Sequence, residues 1–125
     1  MSLAKVTLIG NLGRDPETRS TPSGALNVTF SVATSRAYNG QETTTWWRVT
    51  AWGRLAETLV SLQQQGALGK GRQVYVEGRV EAREYQDRAG ATKTSLDVTA
   101  NEVQLLGGGQ RQTTEDAGTY DRVGF

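Results

Sequence analysis

From Leu26 to Ser35 apolar and polar residues alternate without a break. Leu26, Val28, Phe30 and Val32 fall to one side, and Asn27, Thr29, Ser31 and Ala33 to the other. Only an extended strand places every second side chain on one face, so this segment reads as a half-buried strand. Shorter runs of the same kind follow. Val6 and Leu8 share a face in residues 5–10. Residues 46–52 form a third strand. Val74, Val76, Val80 and Ala82 point inward in residues 73–85, and Thr94, Leu96, Val98 and Ala100 alternate in residues 92–103. The period changes once, where Leu55, Leu59 and Leu62 recur at helical spacing over residues 54–65 before Gly66, Gly69 and Gly71 stop the helix.

Turn signals fit between these runs. Gly10, Gly13, Pro16, Pro22 and Gly24 punctuate a long connection after the first strand. Asn39-Gly40 predicts a tight hairpin, and residues 87–90 another turn. Five strands with a helix between the third and fourth is the order of the OB-fold, a small, partly open all-β barrel.

The periodicity ends near residue 106. Residues 1–106 read as one domain, and residues 107–125 as a flexible tail. The tail opens on three glycines, has few large apolar residues and shows no period. Across the 125 residues, 14 Lys+Arg face 13 Asp+Glu, a net charge of +1. Bulk charge therefore announces no partner. The tail holds Arg111 and Arg122 against Glu115, Asp116 and Asp121, so the basic excess lies in the domain.

Cysteine and histidine are both absent from the sequence. That excludes disulfides, thiolate metal sites, thiol nucleophiles and any Ser-His-Asp triad, so no metal or cofactor is expected. No segment approaches the roughly 20 apolar residues of a membrane helix. The opening residues lack the basic region, apolar run and cleavage site of a signal peptide. The expectation is a cytoplasmic protein without a membrane partner.

The third strand carries the sharpest chemistry. Alternation gives one face Trp46, Arg48, Thr50 and Trp52, and the other Trp47, Val49 and Ala51. The second is a core face. As core, the first would bury an unpaired guanidinium. As an outer platform it offers flat rings to unpaired bases and a cation to phosphate. Packing of Trp46 and Trp52 under a loop or at a subunit contact is the alternative. Tyr75, Glu77, Arg79, Glu81, Arg83 and Tyr85 share the outer face of the next strand, and Arg36 and Tyr38 precede the Asn39-Gly40 turn. Aromatics and arginines thus recur together on three strands.

Taken together, VTLIGNLGRDPE (6–17), VATS (32–35), WWRV (46–49), GRLAE (53–57) and QVYVEG (73–78) make the chain resemble the bacterial-type single-stranded DNA-binding proteins, over about residues 4–106. The resemblance implies an OB-fold subunit, a homotetramer and single-stranded DNA wrapped around the outside. Its stacking aromatics fall on Tyr38, Trp46, Trp52 and Tyr85. With the basic residues of the same strands and turns, the expected DNA contacts add Arg36, Arg48, Arg54, Arg79, Arg83, Arg88 and Lys93. The resemblance also implies pairing of the first strand between subunits (Lys5, Val6, Thr7, Leu8), with Trp47 near subunit contacts and Gln73 and Tyr75 at a second contact. Departures are visible. Tyr38 and Tyr85 stand where tryptophan is frequent, Ser20 replaces a frequent aromatic, and the Tyr38–Trp46 connection is short. Family members end in an acidic tip closing in Pro-Phe that docks replication and repair proteins. Residues 121–125 read DRVGF, which keeps the phenylalanine but lacks the acidic run and the proline, so either the tail is atypical or that docking role is weak.

An enzyme is not expected. Asp15 and Glu17 sit in a loop, Glu77 and Glu81 alternate with arginines as surface charges do, and residues 66–72 lack the spacing of a phosphate loop. Two other occupants fit the same aromatics: a protein partner, as in a primosome-type interaction module, or RNA, which differs in its 2′-hydroxyl contacts.

Overall fold

The computed structural model describes residues 2–107. Its elements run β1 (Lys5–Leu12), β2 (Glu17–Ser20), β3 (Leu26–Tyr38), β4 (Gln41–Trp52), α1 (Gly53–Gln64), β5 (Gln73–Gln86) and β6 (Thr92–Leu106). β1 pairs with β5 along Lys5–Asn11 and meets β3 at Asn11 and Leu12. Because β5, β6, β4 and β3 are themselves joined in that order, the double pairing of β1 closes a five-stranded barrel. Neighbours are antiparallel except β4 and β6, which run parallel from Trp47 beside Leu96 to Thr50 beside Thr99. This is the OB-fold barrel that the strand order predicts, with its helix between β4 and β5. The change of partner in β1 needs a bare backbone. A Cβ on Gly10 would lie 2.8 Å from Cγ1 of Val32 and closer still to the Ala33 carbonyl oxygen.

One element differs from expectation. β2 lies in the stretch read as connection and pairs with the outer edge of β3. All four of its residues are exposed, so no apolar alternation marks it; its pairing with β3 makes it a strand.

β3 and β4 form a hairpin whose register is unbroken from Asn27 opposite Trp52 to Tyr38 opposite Gln41. Its two turn residues have positive φ, 51° at Asn39 and 78° at Gly40. That geometry matches the right-handed twist of the flanking strands and is why Asn-Gly is favoured there. Both strands run further toward the turn than the alternation alone marked.

The inward series supplies the core. Val28, Val32, Val49, Val74 and Val76 have no exposed surface, and Phe30, Leu59, Leu68 and Val98 almost none. Each such side chain stabilises the fold by roughly 1.5–3 kcal/mol relative to exposure. In β6 the series changes phase. Glu77 faces Glu102 while Gly78 faces Ala100, so Asn101 is an extra residue, a β-bulge. The inward residues therefore pass from Val98 and Ala100 to Val103 and Leu105. α1 adds Ala56 and Leu59 to the core. Gly66, at φ 80°, ends it: the Gly66 N–H donates to Gln63 and the Ala67 N–H to Leu62, a Schellman arrangement.

Among the described residues no helix is long and apolar enough to cross a membrane, and no three Asp or Glu groups converge as metal ligands. The expected flexible tail lies, beyond Gly107, outside the described residues.

Candidate nucleic-acid interface

Strand pairing places the outward side chains in rows, because directly opposed residues share a face. One row runs Glu81, Asp97, Arg48, Ser31 across β5, β6, β4 and β3. The next runs Arg79, Thr99, Thr50, Thr29 and on to Glu17 of β2. Trp52, Asn27 and Arg19 form a third. On β5 and β6 the pairs Arg83–Ser95 and Tyr85–Lys93 extend the same face. Trp46, Arg48, Thr50, Trp52, Arg83 and Tyr85 thus belong to one continuous outer surface.

The rings on that surface are open to solvent. Trp46 is 55% exposed, Trp52 46% and Tyr85 44%. Trp47 points the other way: it packs partly buried against the core, and its Nε1–H donates to Thr34 Oγ1 at 2.9 Å. The uninterrupted β3–β4 register keeps the two adjacent tryptophans on opposite faces.

The arginines divide by partner. Arg48, between Trp46 and Trp52 in sequence, forms no ion pair among the described residues. Arg83 donates from Nε to Asp97 Oδ2 at 3.0 Å, and its guanidinium carbon lies 5.8 Å from the centre of the Tyr85 ring. Desolvation pushes the Asp97 carboxyl up. The hydrogen bonds from Ser95 and Arg83 and the charges of Arg83 and Arg48 outweigh it and hold the group below its ordinary value. Asp97 is therefore a fixed negative charge in the middle of the basic face.

Other expected contacts lie apart. Arg36 and Tyr38 share the opposite face of the hairpin ribbon, the side of Trp47, and line a shallow concavity with Thr43 and Thr45. Tyr38 is 71% exposed near the hairpin tip. Arg54 opens α1 just past Trp52. Arg88 lies in the β5–β6 turn, where the Asp87 carboxylate accepts from the Ala89 and Ala91 N–H groups. Two basic residues absent from the expectation join the face: Arg14 and Arg19 line one furrow with Arg48, Ser31 and Glu17. Arg19 sits 3.6 Å from Glu17, both well exposed.

The model of the single-strand binding protein family matches residues 3–106. The chain belongs to the single-strand binding protein family. It is 46% identical over 113 residues to a single-stranded DNA-binding protein of Neisseria meningitidis serogroup A, covering 86% of this chain and 62% of that one. Single-stranded DNA-binding protein 1 of Chlorobaculum tepidum is 43% identical over 111 residues, covering 84% and 65%. The chain spans about three-fifths of the length of these relatives. The family match covers every strand of the barrel and the whole outer face.

Apart from Trp47 on β4, the residues expected at subunit contacts lie on β1 and on its partner β5. Lys5–Gly10 pair with β5 alone, since the contact with β3 starts at Asn11, so this segment keeps one backbone edge unpaired among the described residues. The side chain of Leu8 is 4% exposed and belongs to the core, so at this position only backbone is offered. Lys5 reaches Glu77 at 3.4 Å. Gln73 and Tyr75 are half-buried on β5. Partial burial, then the charge of Glu77 and the hydrogen bond to it, raise the Tyr75 hydroxyl above its ordinary value.

Proposed function

We propose that this chain binds single-stranded DNA with little base preference and shields it during replication, recombination and repair. The observation that carries the reading is one strand of the outer face, where two half-exposed tryptophans flank an arginine free of ion pairs among the described residues. Every base has a π-face, so rings accept all four, while a duplex hides those faces in its stack. Tyr85 extends the platform, and Arg48, Arg14 and Arg19 meet the backbone phosphates. The names of the relatives support the same ligand.

The working unit we propose is a homotetramer. The open edge of β1 offers unpaired N–H and C=O groups to the same edge of a second copy, and such edges invite pairing. Light scattering at micromolar concentration tests this; a stable monomer rejects it.

The test of the ligand is affinity for oligo-dT, an RNA of equal length and a duplex of equal length, each at two salt concentrations. The account expects tight oligo-dT binding with quenching of tryptophan fluorescence, and far weaker duplex binding. Equal affinity for duplex refutes it, and preference for RNA replaces the ligand. Binding of neither single strand leaves the aromatics to a protein partner.

A further inference from the structure

The least constrained group on the outer face ought to be the Trp46 ring, which is 55% exposed on a pleated surface. Yet it has a seat. A Cβ built on Gly13 would lie 2.8 Å from Cη2 of Trp46, closer still to Cζ3, and 3.6 Å from Cε3. The benzo edge of the indole therefore rests directly on the Gly13 backbone. Gly13 does not have the positive φ that would itself demand glycine; the space is what requires it.

The seat is also held. The Gly13 N–H donates to the Ser31 carbonyl at 3.0 Å. On either side, the Leu12 N–H donates to Arg72, the Gly71 N–H to Leu12, the Lys70 N–H to Asp15 Oδ1 at 2.8 Å, and Gln63 Nε2 to the Pro16 carbonyl at 3.1 Å. A side chain added at Gly13 meets a clamped backbone on one side and a half-exposed ring on the other. The ring is the part that can move.

We infer that Gly13 is a positioning residue: it sets the pose in which Trp46 presents its face to a base. The effect on DNA rests on the single-stranded DNA reading; the seat itself does not. Ordering the ring before binding removes part of the entropy that stacking would otherwise cost.

The experiment compares Gly13→Ala, Trp46→Ala and the double variant with the parent. In the free parent, the ring current should move the resonance of the Gly13 Hα that meets the ring edge downfield, because that proton lies close to the plane of the indole, and Trp46→Ala should abolish that shift. Its absence overturns the seat whether or not DNA binds. On oligo-dT, Gly13→Ala should weaken binding at least about 5-fold, the lower end of what one lost stack costs, with the parent's melting temperature and oligomer mass nearly kept. In the Trp46→Ala background the same change should do nothing. An equal loss in both backgrounds, or no loss in the parent background, overturns the positioning role. Should the parent bind no single strand, the proposed function fails, and the resonance shift still decides the seat.

Discussion

Trp46 and Trp47 are neighbours in the chain and opposites in the fold. Trp46 lies half-exposed on the outer face beside Arg48, its ring resting on Gly13. Trp47 turns toward the core and gives its indole N–H to Thr34. Residue type is the same, so composition cannot assign their roles. The pleat does: a period of two separates a ring free to meet a ligand from a ring that holds the barrel together.

Substitution separates them. Trp47→Ala should have the largest effect, on stability. Removing a buried tryptophan costs roughly 3–5 kcal/mol. Partial burial puts Trp47 toward the lower end, although Thr34 also loses its donor. Thermal and denaturant melts measure this, and oligo-dT affinity should change only as far as oligomer mass changes. Trp46→Ala and Trp52→Ala should do the reverse, each weakening oligo-dT binding by roughly 1–3 kcal/mol with little change in melting temperature. If Trp47→Ala binds poorly while staying as stable and as oligomeric as the parent, the two faces have been assigned the wrong way round.

A smaller contrast divides the arginines. For single strands the log–log salt slope changes by about 0.7 per phosphate contact. Arg48→Ala should make the slope shallower by about that much. Arg83→Ala should do less, because Asp97 already occupies its guanidinium. Equal changes would show that DNA breaks the Arg83–Asp97 pair.

The smallest effect belongs to Asp97→Asn. It should raise affinity modestly at low salt and steepen the salt dependence, as Arg83 is released and a negative charge leaves the face. Its stability effect follows from the lowered carboxyl. A depressed folded-state value contributes stability above the ordinary carboxylate range, and that contribution disappears as pH falls through the lowered value. The Arg83 side chain is 52% exposed, so the pair is worth less than about 1 kcal/mol. Melting temperatures of parent and Asp97→Asn should differ slightly at neutral pH and converge in strong acid.

The barrel was legible because its strands are half-buried, and half-burial writes alternation into β3, β4 and β5. β2 was not, because a fully exposed four-residue strand has no apolar face to betray it. Arg19 was missed for the same reason: only the pairing of β2 with β3 carries it beside Asn27 and Trp52. The Arg48–Asp97 neighbourhood rests on a parallel pairing between distant segments, which no local pattern encodes. Tyr38 differs. It shares the numerical parity of Val28, Phe30 and Val32, so its place on the ribbon face opposite Trp46 could have been read from the alternation.

The most direct test is a fluorescence or anisotropy titration of oligo-dT against the parent and the Trp46→Ala/Trp52→Ala double variant at one fixed salt concentration. The account predicts that the double variant stays folded, with the parent's oligomer mass, and loses at least about 2 kcal/mol of binding, the minimum for two lost stacks. A folded double variant that binds oligo-dT as tightly as the parent would contradict it.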